Sequence, residues 1–379
     1  MREIKVSELK PGIRFTQPVY LDEKNLFLPK DIPLKKKDIE KLIKWGISEV
    51  FSDGEILDPE NASDILLMIS SFQTDFQKEI YELLKSNIAK TAKIFDKIAK
   101  IERVEREEID TVVDSLVKVI DVYKRDVIHF VLYSGIQSYD LPANAVSIAL
   151  ISLLLADTMD YPRHKKIALA TGALLHDVGM YRVPGTILSK DSSLSDVEYK
   201  QMKAHTVYSY RIIRNELSYS EDVALVALQH HERWDGNGYP RNLESASISE
   251  YARIVSIADA FQAMISERPY RSPLTGYSAM RTILGDNGRR FDPDIVKEFI
   301  KTMGIYPLGS IVLLNNGAVG VVVDTSTESP LRPELRILID ENGKDFLSNN
   351  GPVLNLQKSK SVFIVKVVEP SEIRSKLPA

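Results

Sequence analysis

The sequence predicts a mainly α-helical protein, with a small α+β module at its N-terminal end and a small β-rich module at its C-terminal end. Three features support this fold class. Residues 60–141 hold no proline and a single glycine, Gly135. Residues 136–305 form a mostly helical stretch, and residues 306–379 change to β-rich runs with Asn-Asn-Gly and Glu-Asn-Gly turns.

Residues 1–58 are predicted to form the α+β module. Short alternating stretches and turn signals, such as Pro11-Gly12, surround one segment of helical periodicity at 35–46. Residues 59–135 are predicted to be a helical connector, because apolar residues from Ile65 to Leu83 recur with a period of 3.6. A dimerising segment and a satellite helix packed on the next domain would show the same pattern, and we favour the homodimer.

Residues 136–305 hold five of the six histidines. The predicted helices are 143–158, 164–179, 195–214, 221–231, 249–266 and 291–303. The apolar run Ala145–Ala156 is too short to span a bilayer and predicts a buried core helix.

Composition narrows the classes of function. The chain of 379 residues has a net charge of -4, which gives no general attraction for nucleic acid polymers or anionic membranes. It has no cysteine, so disulfides, zinc–thiolate sites and cysteine nucleophiles are excluded. The N-terminal segment lacks an apolar signal core, and we expect a cytoplasmic protein.

A set of six histidines and aspartates in residues 136–305 predicts a metal site. They are His176, Asp177, His205, His230, His231 and Asp259, each within or at the end of an apolar helical segment. Such groups are costly to bury unless they are paired or bound to a cation, and imidazole and carboxylate together suit a divalent first-row metal. A single histidine or His-Asp pair is more often a core feature, but five such motifs in one domain are much less expected by chance.

The spacing also suggests how the metal would act. The carboxylate in an adjacent His-Asp pair can bridge two ions, and two ions roughly 3.5–4 Å apart can clamp a phosphoryl group and deprotonate a water. The following turn, "WDGNGYP", combines flexible glycines with a tyrosine on a rigid segment, which suits a wall over a bound phosphate or base.

Successive motifs of residues 136–305 resemble the HD-GYP domain, a subfamily of the HD phosphohydrolases found in bacterial signalling proteins. The motifs are "HDVGMYRVP" (176–184), "MKAH" (202–205), "HHERWDGNGYP" (230–240), "ARIVSIADAFQAM" (252–264), "ERPYR" (267–271) and "FDPDIV" (291–296). The flanking stretches "LKPGIRFTQPV" and "YPLGSIVLLNNGAVGVVV" resemble the modules that commonly accompany that domain.

The resemblance implies a helical HD-domain core that holds two or three divalent metal ions, iron or manganese, and hydrolyses cyclic di-GMP to pGpG or GMP. It implies that His176, Asp177, His205, His230, His231 and Asp259 are metal ligands, with Asp177 the bridging, catalytic carboxylate. It further implies that Gly238, Tyr239 and Pro240 shape the substrate pocket and that Arg268 and Arg271 bind substrate phosphate.

Several positions depart from the family pattern. Asp140 and Asn144 stand where the family has a glutamate and a histidine ligand. We therefore predict that they are metal ligands that bind the metal more weakly than the family's residues do. Met180 replaces a lysine that would stabilise phosphate charge, and Ser209 replaces a glycine, a change that we expect to be minor.

Three functions follow from the pattern. The first is an active cyclic di-GMP phosphodiesterase, weakened by Asp140, Asn144 and Met180. The second is a degenerate module that binds nucleotide or a partner, such as a GGDEF-domain protein, without turnover. The third is a phosphohydrolase for another nucleotide, such as a mixed cyclic dinucleotide. The intact "HHE" and "GYP" motifs favour the first function, and the departures favour the second.

Overall fold

A computed structural model describes most of the chain. The described residues are 2–11, 13–15, 17–22, 25–29, 32, 34–54, 56–57, 75–133, 140–190, 192–266, 273–344, 346 and 351–368.

The N-terminal module is a small sheet with one helix. Its strands are β1 (Arg2–Lys5), β2 (Arg14–Phe15), β3 (Val19–Tyr20), β4 (Leu26–Leu28), β5 (Glu49–Ser52) and β6 (Ile56–Leu57), and its helix is α1 (Lys36–Lys44). Four strands pair in the order β1-β5-β3-β4, while β2 pairs with β6. Apolar side chains from the strands and Leu42 of α1 form a separate small core. The predicted α+β character is therefore confirmed.

Two long helices precede the histidine-rich region. They are α2 (Asp75–Ala99) and α3 (Arg106–Tyr133). Their apolar faces join the main hydrophobic core, where Leu84, Phe95, Leu116 and Val127 are buried. Over the residues described, the helices therefore pack as satellites of the helical body, and a dimer formed through 59–135 stays a prediction.

The helical body is built around one central helix. Its helices are α4 (Leu141–Thr158), α5 (Arg163–Leu175), α6 (Gly185–Leu188), α7 (Asp196–Lys203), α8 (His205–Arg211), α9 (Glu221–Gln229), α10 (Glu250–Ile265), α11 (Gly276–Gly285) and α12 (Pro293–Met303). Helix α4 contacts α2, α3, α5, α10 and α12. Its position explains its composition, because a helix surrounded on every side has no face that needs to be polar.

Helix α4 confirms the predicted core helix. Ala145–Ala156 lies inside it, and each of these residues is buried. Within the described part of the chain, α4 is the one helix long and apolar enough to cross a membrane by length and composition, and 78% of that window is buried inside the protein.

The C-terminal module is a five-stranded antiparallel sheet. Its strands are β7 (Ile311–Leu314), β8 (Val319–Asp324), β9 (Glu334–Ile339), β10 (Val353–Asn355) and β11 (Ile364–Val367), in the order β10-β9-β8-β7-β11. One face packs on the helical body through side chains such as Val312 and Leu335. The opposite face carries its own cluster, which includes Val319 and Val321. The mainly α architecture with small terminal sheets is thus confirmed.

Some helix boundaries differ from those predicted. The segment 164–179 ends as an α-helix at Leu175 and continues as a 3-10 helix, Val178–Arg182. The segment 195–214 divides between α7 and α8 at Ala204. Helix α11 was not predicted from the sequence, although Thr275 caps it by accepting a hydrogen bond from the Ser278 amide.

Candidate metal centre

Three histidines at helix termini lie around one aspartate, Asp177. His176 ends α5, His205 begins α8, and His230 ends α9. Asp177 Oδ1 lies 3.2 Å from His205 Nε2 and 3.5 Å from His230 Nε2, and Asp177 Oδ2 lies 3.6 Å from His176 Nε2. The two carboxylate oxygens therefore face different histidines.

The same local device orients all three rings. The Nδ1 atoms of His176, His205 and His230 lie 2.6, 2.7 and 2.9 Å from backbone carbonyl oxygens three residues earlier. A carbonyl oxygen only accepts, so each Nδ1 must be the protonated nitrogen. Each Nε2 then carries a lone pair aimed at Asp177. This arrangement is the usual outer support of a metal-binding histidine.

The inward-facing atoms lack hydrogen-bond donors. Nε2 of His176, His205 and His230 and Oδ1 of Asp177 are buried, and none has a hydrogen-bond partner in the structure. Four acceptors that converge without a donor repel one another, and leaving them unsatisfied is costly. A divalent cation satisfies all of them at once, so the residues present fit a metal.

Four side chains form the tightest group. Ligand atoms of Asp177, His205, His230 and His231 lie within 4.8 Å of one another. The rings of His230 and His231 are 4.0 Å apart between centroids. His176 adjoins this group through Asp177 Oδ2. Asp259 lies near enough for its charge to act on His205.

The electrostatics of the cluster favour an ionised Asp177. Burial raises the pKa of Asp177, but the charges of His176 and His205 outweigh burial and hold this pKa well below its usual value. Burial and the neighbouring His230 hold the pKa of His231 well below its usual value. Burial lowers the pKa of His230, whereas Asp177 outweighs burial at His205 and raises its pKa. Asp177 is thus the anion of the cluster.

The loop after the adjacent histidines is closed by Glu232. This side chain is 2% exposed, and its two carboxylate oxygens accept hydrogen bonds from the amides of Arg241 (2.7 Å) and Leu243 (3.1 Å). Gly238 packs so tightly that a Cβ would lie 2.4 Å from Glu232 Cα. Sequence reasoning missed this role of Glu232, although an acidic residue directly after two histidines was a visible signal.

The "GYP" segment lies beside the cluster. The ring of Tyr239 stacks on that of His231 with centroids 4.7 Å apart and planes 31° apart, and the Tyr239–Pro240 peptide bond is cis. Tyr239 therefore packs against His231, and its predicted role in a substrate pocket stays a prediction.

The aspartate loop is tied to the helix of His205. The amide of Gly179 donates a 2.8 Å hydrogen bond to Oγ of Ser209, which is fully buried. A Cβ on Gly179 would lie 2.2 Å from the carbonyl oxygen of His205. Ser209 therefore has a defined structural contact, and the minor effect that we expect of this departure stays a prediction.

The positions before the His-Asp pair lie apart from the cluster. Asp140 is exposed at the start of α4, and the structure does not bring it into the group around Asp177. Asn144 is half-buried, and its Oδ1 lies 3.5 Å from both Gln262 Nε2 and Ser266 Oγ. Gln262 is one turn after Asp259 on α10, so Asn144 borders the helix face that carries Asp259.

The predicted phosphate contacts are only partly described. Arg268 and Arg271 lie outside the described residues. Met180 is half-buried in the 3-10 helix after Asp177 and supplies no charge there. A cation that sequence reasoning missed, Lys203, has its Nζ 4.7 Å from the ring centroid of Tyr239. Its position two residues before His205 was the available signal.

Comparison with known families places these motifs in context. Residues 136–295 match the family described as "HD domain", and residues 311–376 match "KOW domain associated with HD domain".

Several curated proteins are similar to parts of the chain. A cyclic di-GMP phosphodiesterase of Pseudomonas aeruginosa is 33% identical over 201 residues, which are 53% of this chain and 48% of that protein. The cyclic di-GMP phosphodiesterase PdeB of Borreliella burgdorferi is 28% identical over 61% of this chain and 60% of its own length. The chain therefore spans about half the length of these relatives.

Among solved structures, an HDG"Y"P protein from Bdellovibrio bacteriovorus matches with a TM-score of 0.48 and 17% identity. That match covers 79% of this chain and 97% of the other.

Proposed function

We propose that this chain, whose residues 136–295 match the HD domain family and carry motifs that resemble those of the HD-GYP domain, is a metal-dependent phosphodiesterase that hydrolyses cyclic di-GMP. Curated relatives that are similar to parts of this chain are named cyclic di-GMP phosphodiesterases, which supports this substrate. The expected products are pGpG or GMP.

The convergence of three histidine Nε2 atoms on Asp177, whose buried Oδ1 has no hydrogen-bond donor among the described residues, carries the proposal. Each ring is fixed by a backbone carbonyl on its far side, so the lone pairs are held in place before any ion binds. A bare polar cluster of this kind is expensive in the interior of a helical domain. The site is therefore built for a cation.

Asp177 is proposed to bridge two ions. Its Oδ1 faces His205 and His230 while its Oδ2 faces His176, so the carboxylate presents one oxygen to each side. His231 would complete the side of His205 and His230, and Asp259, whose charge acts on His205, would be a further ligand. Imidazole with carboxylate is a donor set suited to iron or manganese.

Divalent ions bound here would supply Lewis-acid activation of the phosphodiester and of the attacking water. The protein's part is to hold the donors rigidly and to shape the space above them. Tyr239 covers His231, and the loop closed by Glu232 fixes Tyr239. A phosphodiester would therefore approach across the Tyr239 side of the cluster.

A second function is favoured by Asn144. Its amide contacts Gln262 and Ser266 beside Asp259, where the family has an imidazole. One side of the centre then has a weaker donor, since an amide oxygen binds iron or manganese less tightly than imidazole does. A chain that binds nucleotide or a GGDEF-domain protein with little turnover is the alternative.

A homodimer and a cytoplasmic location also stay predictions.

A substrate panel tests the proposal. Protein reconstituted anaerobically with iron or manganese is incubated with cyclic di-GMP and with 3'3'-cGAMP, because some relatives are named 3'3'-cGAMP-specific phosphodiesterases. We expect faster loss of cyclic di-GMP and formation of a linear product. Faster hydrolysis of 3'3'-cGAMP would reassign the substrate. Binding of cyclic di-GMP without product would favour the alternative.

A further inference from the structure

Lys203 lies next to the histidine cluster around Asp177, and no carboxylate of the described residues pairs with its ammonium group. Its Nζ is 4.3 Å from the ring centroid of Tyr199 and 4.7 Å from that of Tyr239. Tyr239 in turn stacks on His231 of the cluster. The ammonium group is thus separated from a predicted metal ligand by one aromatic ring.

Within the described part of the chain, Lys203 has no acidic partner, unlike Lys190 and Lys166. Lys190 pairs with Glu198 at 2.6 Å, and Lys166 pairs with Asp157 at 2.7 Å. Over the residues that the structure describes, no carboxylate oxygen lies within 4.0 Å of the Lys203 ammonium. Two aromatic faces reduce the cost of removing water from an ammonium, but they leave its charge available to an anion.

Lys203 also has a structural role in its own helix. Lys203 is the last residue of α7, where a cation stabilises the helix terminus, and Tyr199 is one turn earlier on the same helix. Those facts account for the Tyr199 contact. They do not account for the contact with Tyr239, which comes from a loop remote in sequence and faces the cluster.

We propose that Lys203 binds a phosphate oxygen of the nucleotide substrate. This inference rests on the proposed function, because it deepens the recognition of a phosphodiester at the same site. Met180 offers no cation beside Asp177, so a charge on the Tyr239 side would provide the missing attraction. Lysine acts in such a role as a mobile point charge, without the fixed fork of arginine.

The test compares three variants in metal-loaded full-length protein. Lys203→Met removes the charge and keeps the apolar stem, while Lys203→Arg keeps the charge. Lys200→Met is the control, since Lys200 is an exposed lysine on the same helix. We expect Lys203→Met to raise KM for cyclic di-GMP by about 10- to 100-fold, the equivalent of one charge-assisted hydrogen bond. Lys203→Arg and Lys200→Met should stay near wild type in KM.

Three further readouts separate binding from structure. Metal content and Tm should be the same in Lys203→Met and wild type, and kcat should change much less than KM. The KM of wild type should rise with ionic strength more steeply than that of Lys203→Met. Equal KM values would overturn the inference. So would a loss of metal or a lower Tm, because Lys203 would then be a clamp on Tyr239.

Inorganic phosphate as a second probe separates this inference from the proposed function. If wild type neither binds nor hydrolyses cyclic di-GMP, the proposed function fails. Weaker phosphate binding by Lys203→Met would even then support an anion site at Lys203. Equal phosphate binding by the two proteins would overturn the inference, whatever the substrate.

Discussion

The amide of Gly179 and the hydroxyl of Ser209 form a buried hydrogen bond of 2.8 Å that joins the Asp177 loop to the helix of His205. Ser209 is one turn after His205, and Gly179 is two residues after Asp177. This bond therefore joins the two segments that carry Asp177 and His205, two of the predicted ligands.

Removing that hydroxyl should loosen the site. Ser209→Ala leaves the buried Gly179 amide without its acceptor, at a cost of about 1–3 kcal/mol in the free energy of unfolding. We expect metal affinity to fall about 10-fold or more, as for other outer contacts of metal ligands. Metal titration and thermal unfolding measure both effects. Ser192→Ala, on the exposed surface, is the control, and unchanged metal affinity in Ser209→Ala would refute the coupling.

A methyl group on Gly179 should be more disruptive. Its Cβ would lie 2.2 Å from the His205 carbonyl oxygen and 2.4 Å from the Ser209 amide nitrogen, both backbone atoms, so the loop or α8 must move. We expect Gly179→Ala to lose most of its metal. Gly185→Ala is the matched control, because nothing lies within 4 Å of its added Cβ. Equal metal content in the two variants would show that the loop yields without moving Asp177.

The two-sided position of Asp177 predicts an order of effects. Its Oδ1 and Oδ2 face different histidines, so Asp177→Ala removes a donor from both sides and leaves two cations without a shared anion. We expect Asp177→Ala to retain less metal than His231→Ala or His176→Ala, as measured by elemental analysis. Similar retention in all three variants would contradict the bridge.

Tyr239 should act through its ring. Tyr239→Ala removes the surface that stacks on His231, so we expect weaker nucleotide binding together with some loss of metal. Tyr239→Phe keeps the ring and should keep both. Calorimetric titration with the nucleotide, alongside metal analysis, distinguishes the outcomes. Retention of full metal by Tyr239→Ala would show that its role is confined to the pocket.

The Asn144 departure predicts a gain. Asn144 borders the α10 face that carries Asp259, so Asn144→His would add an imidazole there, which is a stronger ligand for iron or manganese. We expect higher metal occupancy, and higher turnover if occupancy limits the rate. Asn342→His, at an exposed position of the C-terminal module, controls for adventitious binding by an added histidine. No gain in metal would mean that Asn144 does not border the centre.

The residues of the histidine and aspartate cluster could be predicted from the sequence, but the contacts that hold the cluster in place could not. His176, Asp177, His205, His230 and His231 converge because their motifs place each at a helix terminus. The Gly179–Ser209 bond could not be foreseen, because it depends on how two helices approach in space. Helix α11 was not predicted, and it begins and ends at glycine, a residue that lowers helix propensity. Packing of α2 and α3 on the helical body was one of two alternatives, because an amphipathic pattern does not show what the helix packs against.

The most direct test of metal-dependent cyclic di-GMP hydrolysis is an anaerobic titration of metal-free protein with iron or manganese. Bound metal and cyclic di-GMP hydrolysis are measured together in this titration. We expect no hydrolysis without metal, uptake of one to two ions per chain, and turnover that rises with the second ion. Hydrolysis by the metal-free protein, or no uptake of either metal, would contradict this expectation.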